Sequence, residues 1–252
     1  MSLSAEQIQS NWEKFIGYIN TYISDPRREK VLAFYKKFED DLVLMPASHK
    51  TAYHNAFPGG YIDHVNRVIE GALAINKTWV EFGTEQNYTI EELVFSAINH
   101  DLGKIGSLEH VAVLPSKDEW RKKNLGEMYT FNTNNEYMTV PDRGLFLLQQ
   151  AGIQLTTNEF ITIKTHDGLY DQANEPYLKG YMPETKPRTS LPFIIHQADL
   201  MAARIEFERE WLDTFGDQPK PITKTTKQDR VNSNLGKIGS DNDNLMNLVK
   251  NL

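Results

Sequence analysis

The sequence predicts an all-α fold, a helical bundle with a small β-hairpin insertion, and three observations carry the prediction. Apolar residues recur at three- and four-residue spacing along most of the chain. Helix-start signatures stand before those runs, with Ser4 three residues ahead of Gln7 and Thr89 three ahead of Glu92. One internal stretch, 107–141, breaks the helical pattern and contains the β-hairpin signal.

In order, Ser4 opens a first helix whose apolar positions are Ile8, Trp12, Phe15, Ile16 and Ile19. Asp25-Pro26 opens the second, Asp as cap and Pro in the first turn, with Val31, Leu32, Phe34, Tyr35 and Phe38 on its apolar face. These N-terminal helices, within 1–45, read as a lid or support pair. Residues 47–60 form a loop with His49, His54 and the pair Gly59-Gly60. A long helix from Tyr61 to about Phe82 follows, its stripe made of Ile62, Val65, Ile69, Ala72, Leu73, Ile75 and Trp79. His64 lies at the border of that stripe, a position that faces a cleft between helices. Thr89 opens the next helix, to about Leu102. Asp101 falls on the face of Ile90, Leu93, Val94, Ala97 and Ile98 and so points inward, where it needs a metal or strong donors.

Beyond Ser107, Met128–Phe131 and residues 136–140 flank Asn132-Thr133-Asn134-Asn135, the pattern of a hairpin with a polar turn. A loop this long beside a candidate site is a candidate lid or specificity element, to which Lys117, Arg121, Lys122 and Lys123 add local positive charge. Leu145 to Ala151 reads as a short helix closed by Gly152. Thr157 starts a helix that runs to His166-Asp167-Gly168, and Tyr170 to Ser190 is a loop rich in Pro and Tyr. Pro192 sits in the first turn of a helix to about Phe215, which places His196 and Asp199 on one face. From Gly216 the composition turns to Lys, Thr, Asn, Asp, Ser and Gly, so 216–240 reads as a linker or arm. Leu245, Met246, Leu248, Val249 and Leu252 suit a short amphipathic helix that docks on the body or on a second subunit, giving a homo-oligomer.

Composition narrows the function classes. A chain of 252 residues can bury a full core. Its net charge of -7 gives no footprint for long nucleic acid, though a locally positive pocket would still suit a small anion. The absence of cysteine removes disulfides, thiolate zinc sites and cysteine nucleophiles, and fits a cytoplasmic protein. The N-terminus lacks the basic region and apolar run of a signal peptide. No stretch approaches the ~20 apolar residues of a membrane span.

The chemistry centres on Ile98-Asn99-His100-Asp101-Leu102-Gly103-Lys104. His and Asp are ligands for divalent metals, and Lys holds phosphate as a point charge. Of the seven histidines, His49 and His110 read as ordinary. His64 follows a Gly-Gly turn, His54 lies in the loop leading to it, His100 adjoins Asp101, His166 adjoins Asp167, and His196 pairs with Asp199 by helical spacing.

From about His54 to Glu206 these motifs resemble the HD-domain superfamily of metal-dependent phosphohydrolases. Gly59-Gly60-Tyr61-Ile62-Asp63-His64 is similar to the family's first-histidine motif, Asn99–Lys104 to its naming doublet, and Ala198-Asp199-Leu200 to its final aspartate motif. The pattern also looks like the stand-alone HD proteins of tailed phages. The resemblance implies an HD-domain bundle over 1–215, with a metal-binding core at about 54–215. It implies that His64, His100, Asp101 and Asp199 hold one divalent metal. His166 and His196 are similar to the extra histidines of two-metal members, in which Asp101 bridges both ions; direct hydrogen bonding to substrate phosphate is the alternative. Nitrogen and oxygen ligands suit Mn, Fe, Co, Ni, Mg or Zn.

The implied reaction is attack of metal-activated water on a phosphate ester or anhydride of a nucleotide. Asp101 would orient the nucleophile and Lys104 would stabilise the phosphoryl oxygens. Arg67 and His54 are candidates to hold phosphate or protonate a leaving oxygen. Tyr170, with Tyr129, Tyr137, Tyr177 and Tyr181, is a candidate to stack on a base. Two other functions fit the same motifs: a phosphodiesterase or 3'-5' exonuclease on cyclic nucleotides or RNA ends, and a non-catalytic nucleotide sensor.

Overall fold

The computed structural model describes residues 2–215, with side chains to Asp213. The expected linker at 216–240 and the amphipathic segment at 245–252 lie outside the described residues. The chain divides into a compact unit ending at Glu210 and a second beginning at Trp211. Among the described residues the fold is all-α with one two-stranded antiparallel sheet. No described helix is long and apolar enough to cross a membrane.

Helix α1 (Ala5–Tyr22) has the expected Ser4–Gln7 capping box and buries Trp12, Phe15 and Ile19. Helix α2 (Arg27–Lys37) starts one residue later than expected. The Asp25-Pro26 peptide is cis, and the Asp25 carboxylate pairs with Arg28 instead of capping the helix. A short α3 (Glu39–Leu44) follows, then α4 (Gly60–Glu81) and α5 (Ile90–Asn99). In α5 every residue from Glu92 to Asn99 is buried, which marks it as the central helix of the core. Full burial of Leu93, Val94, Phe95 and Ile98 contributes about 1.5–3 kcal/mol each. The helical run ends at Asn99, and a 3₁₀ turn over Leu102–Ile105 takes over.

The hairpin forms, but between other partners. Strand β1 (Val113–Pro115) pairs antiparallel with β2 (Tyr129–Phe131), and helix α6 (Glu119–Leu125) lies between them in sequence. The basic run Lys117–Lys123 therefore lies largely on a helix capped by Asp118. Residues 136–139 form no strand. Thr139 accepts the Asp142 N–H and Pro141 occupies the first turn, so this segment begins helix α7 (Val140–Gln150), five residues earlier than the apolar pattern suggests. The polar turn at Asn132–Asn135 forms, closed by the Asn135 N–H on the Asn132 carbonyl (3.2 Å), but it leads to no strand at 136–140, and the Asn132 side-chain amide donates to the Val111 carbonyl.

Helix α8 (Thr157–Thr165) carries a Thr156–Glu159 capping box. The Pro- and Tyr-rich stretch contains 3₁₀ turns and a four-residue α9 (Glu175–Leu178). Helix α10 (Leu191–Phe215) completes the described chain and meets α4 through Trp79–Gln197 at one end and through His64 at the other. Away from the site, Arg27 grips the fully buried Glu159 with two bonds of 2.7 and 2.6 Å and lies 3.5 Å over the Phe95 ring. This ties α2 to α8 across the middle of α5.

Candidate metal centre

Three helix-end devices bring the histidines together. The first is the turn before α4. Gly59 has φ +82°, and a Cβ at Gly60 would collide with the Asn55 carbonyl, so both positions call for glycine. That turn starts α4 so that His64, one turn in, faces α5 and α10. The second is the end of α5. Asn99 is held by the Tyr35 hydroxyl (2.9 Å) and by its own bond to the Phe95 carbonyl (2.8 Å). His100 Nδ1 then donates to the Ala97 carbonyl at 2.7 Å. The third repeats this at the end of α8, where His166 Nδ1 donates to the Ile163 carbonyl at 2.8 Å. Both His-Asp doublets thus use a carbonyl three residues back to aim Nε2 at the same interior point.

The donor atoms converge there. His64 Nε2 lies 3.4 Å from His100 Nε2, 3.2 Å from Asp199 Oδ1 and 3.6 Å from Asp101 Oδ2. His100 Nε2 lies 3.4 Å from Asp101 Oδ2 and 3.8 Å from Asp199 Oδ1. Four ligands placed tetrahedrally about 2.1 Å from one ion stand about 3.4 Å apart, so these separations fit one metal. The hydrogen bonding fits as well. His64 Nδ1 faces Glu206 and His100 Nδ1 faces a carbonyl, which directs both Nε2 atoms at the metal position, where each ligates as a neutral imidazole. The other oxygen of Asp101 faces His166 Nε2 at 3.5 Å, so one carboxylate spans two sets of histidines. His166, Asp167 and Asp199 form a further metal-compatible group, as do His54, His64 and Glu206.

The remaining candidates are distributed around this cluster. Lys104 Nζ sits 2.5 Å from Asp101 Oδ2, with about a quarter of its side chain exposed. Gly103 is a packing residue: a Cβ there would run into the Val140 carbonyl of α7. His54 stacks near His64 at 4.7 Å, and among the described residues its buried Nε2 has no hydrogen-bond partner. Arg67 lies behind His64, committed to Asp63 (2.9 Å) and Glu206 (2.5 Å). His196 belongs to none of the three groups; its Nδ1 bonds the His166 carbonyl at 2.8 Å, and its ring packs on Gly168. Tyr170 is exposed, its ring 6.4 Å from His196.

Glu206 is the site residue that sequence reading missed. It is 1% exposed and reaches His64 Nδ1 with both oxygens, at 3.2 and 3.1 Å. Its signal was its spacing, seven residues or two turns beyond Asp199 on the same helix.

Electrostatics follow from burial and pairing. Burial alone would depress His64, but Glu206 and then Asp199 override it and raise its pKa to about 10. His166 is likewise pushed down by burial and pulled up, to about 9, by Asp101, Asp167 and Asp199. Burial would raise the Asp101 carboxyl, yet Lys104 and His100 hold it well below the usual range. Asp199 is also low, burial being outweighed by His64 and His100. His54 is pushed down to about 4 by burial and by the neighbouring His64 and Lys104, so it is neutral at pH 7. Two protonated histidines thus balance buried carboxylates, and a divalent cation would carry the same charge. These buried His, Asp and Glu groups could hold a metal ion.

Comparison with family models, curated proteins and solved structures found no match.

Proposed function

We propose that this chain is a divalent-metal-dependent phosphohydrolase of the HD-domain type, acting on a phosphate ester or anhydride of a nucleotide. The observation that supports this reading best is the convergence of His64, His100, Asp101 and Asp199, each histidine with Nδ1 already engaged, beside a partly exposed lysine. When bound there, a divalent metal supplies Lewis acidity that makes water nucleophilic near neutral pH. His64, His100, Asp101 and Asp199 would hold one ion. His166 and Asp167, across Asp101, would hold a second or meet the substrate phosphate.

The protein's own groups do the rest. Lys104, anchored on Asp101, presents its ammonium to the phosphoryl oxygens, where negative charge grows in the transition state. Neutral His54 offers Nε2 as a hydrogen-bond partner to phosphate; with a pKa near 4 it does not serve as proton donor at pH 7. Arg67 holds Glu206 and so steadies His64 from behind.

The test is phosphate release from a panel of nucleoside mono-, di- and triphosphates with Mn, Fe, Co, Ni, Mg or Zn. Lys104→Met should lower kcat by about 10²–10³-fold, while metal content stays unchanged. No release from any substrate with any of these metals would remove the nucleotide phosphohydrolase reading and leave a phosphodiesterase or a nucleotide sensor.

A further inference from the structure

A cleft of about 700 Å³ opens beside Lys104 and His54, a volume typical of small-molecule sites. Among the described residues its charged lining residues are Lys104, Arg143 and Arg204, and no described Asp or Glu lines it. In a chain with 34 acidic and 27 basic residues this is a local reversal of charge. Among the described residues Arg143 donates to two backbone carbonyls, Gly103 at 3.4 Å and Glu136 at 2.8 Å, which leaves other N–H groups of its guanidinium for an anion. Arg204 lies 5.2 Å over the Phe207 ring, and among the described residues it makes no ion pair.

The same cleft carries an aromatic wall. The His49 ring lies 5.5 Å from Tyr53 and 4.9 Å from Phe131. Tyr53 is 52% exposed and Phe131 69%, so these faces are not used by the core. The wall is preassembled. Tyr129 N–H donates to the His49 carbonyl (3.2 Å), Thr51 N–H donates to the Gly126 carbonyl (3.0 Å), and Lys50 pairs with Glu127 (2.8 Å). These bonds tie the β1–β2 insertion to the loop that carries His49, Tyr53 and His54.

We propose that this cleft is the binding site of a free nucleoside polyphosphate, and that the insertion sets its specificity; the proposal rests on reading the cluster as a phosphohydrolase centre. The base stacks on the platform of His49, Tyr53 and Phe131. Lys104 holds the phosphate that faces the histidine cluster, and Arg143 and Arg204 hold the others. A cation set alone would take any polyanion, and an aromatic wall alone any flat apolar group. Together they select a ligand that is flat at one end and multiply charged at the other.

Equilibrium binding to the metal-free full chain tests this without requiring turnover. The probes are ATP, GTP, CTP, UTP, inorganic tripolyphosphate and a 5'-phosphorylated single-stranded tetranucleotide. At least one nucleoside triphosphate should bind about tenfold tighter than tripolyphosphate. The double variant Tyr53→Ser/Phe131→Ser, at two exposed positions, should cut that preference to within threefold and leave tripolyphosphate affinity unchanged. Arg143→Gln and Arg204→Gln should each weaken triphosphate and tripolyphosphate binding alike. A preference that survives the double variant, or no preference in the parent chain, overturns the proposal. Tighter binding of the tetranucleotide overturns the assignment to a free nucleotide. Base preference without any hydrolysis would refute the phosphohydrolase reading alone, and hydrolysis without base preference would refute this one alone.

Discussion

Glu206→Gln isolates the part of the site that holds the rest in place. The carboxylate is buried and contacts His64 Nδ1 with both oxygens. Glutamine keeps the shape and one acceptor oxygen but removes the charge that makes His64 a strong ligand. Losing such a carboxylate partner behind a ligating histidine typically costs 10–100-fold in metal affinity. That is about 1.4–2.7 kcal/mol, less than the cost of losing a ligand outright. Competition against a chromophoric chelator, with Mn or Zn as the probe, reads it directly. Glu206→Ala should go further, because it strands a protonated His64 and part of Arg67's pairing inside the metal-free protein. Removing one partner of a buried pair costs about 3–5 kcal/mol of stability. The reasoning is refuted if Glu206→Gln binds metal within threefold of the parent chain while circular dichroism shows the fold intact.

Binding of one metal at His64, His100, Asp101 and Asp199 should expel about one proton at pH 7, because His64 carries it in the metal-free protein with its pKa raised to about 10, and a second ion held by His166, raised to about 9, should expel another. Affinity should accordingly fall as pH falls; calorimetry in buffers of different ionisation enthalpy counts the protons, and zero released would contradict the pairing. The same raised values mean that the His64 and His166 contributions to metal-free stability are complete below about pH 6.5 and are lost as pH rises through 9–10. Asp101 and Asp199, held low, lose theirs only as pH drops below the ordinary carboxylate range. Arg27→Met leaves Glu159 buried without its cation and should cost about 3–5 kcal/mol in urea denaturation, whereas Arg27→Met/Glu159→Met should regain most of it; equal loss in both would sink the explanation. Gly103→Ala should cost about 1–3 kcal/mol, since α7 must move off the new Cβ, and an unchanged melting temperature would contradict that contact.

The helices were legible because their signals are local. Ser4–Gln7 and Thr89–Glu92 read as capping boxes and form them, and the stripe Ile62–Trp79 reports α4 nearly to the residue. The hairpin partners were not legible. Antiparallel pairing across 13 intervening residues leaves no periodic mark in the sequence, and the alternation at 136–140 concealed a stronger local signal, Thr139 as cap with Pro141 behind it. His64, His100, Asp101, His166 and Asp199 stood out because such residues interrupt or border apolar helix faces, and the fold does bring them together. Glu206 did not stand out, because it lies among Arg204, Glu208, Arg209 and Glu210 on a stretch that reads as a solvated face. Its burial depends on where α4 crosses α10. The role expected for Arg67 changes for the same reason, since two carboxylates from Asp63 and Glu206 claim its guanidinium.

The most direct test of the central claim is the number of divalent metal ions per chain, measured by elemental mass spectrometry on gently purified protein and on His100→Ala. The account predicts at least one equivalent in the parent chain and loss of that equivalent in the folded variant. Full retention in His100→Ala, or no bound metal in the parent chain even after incubation with Mn, Fe, Co, Ni, Mg or Zn, would contradict it.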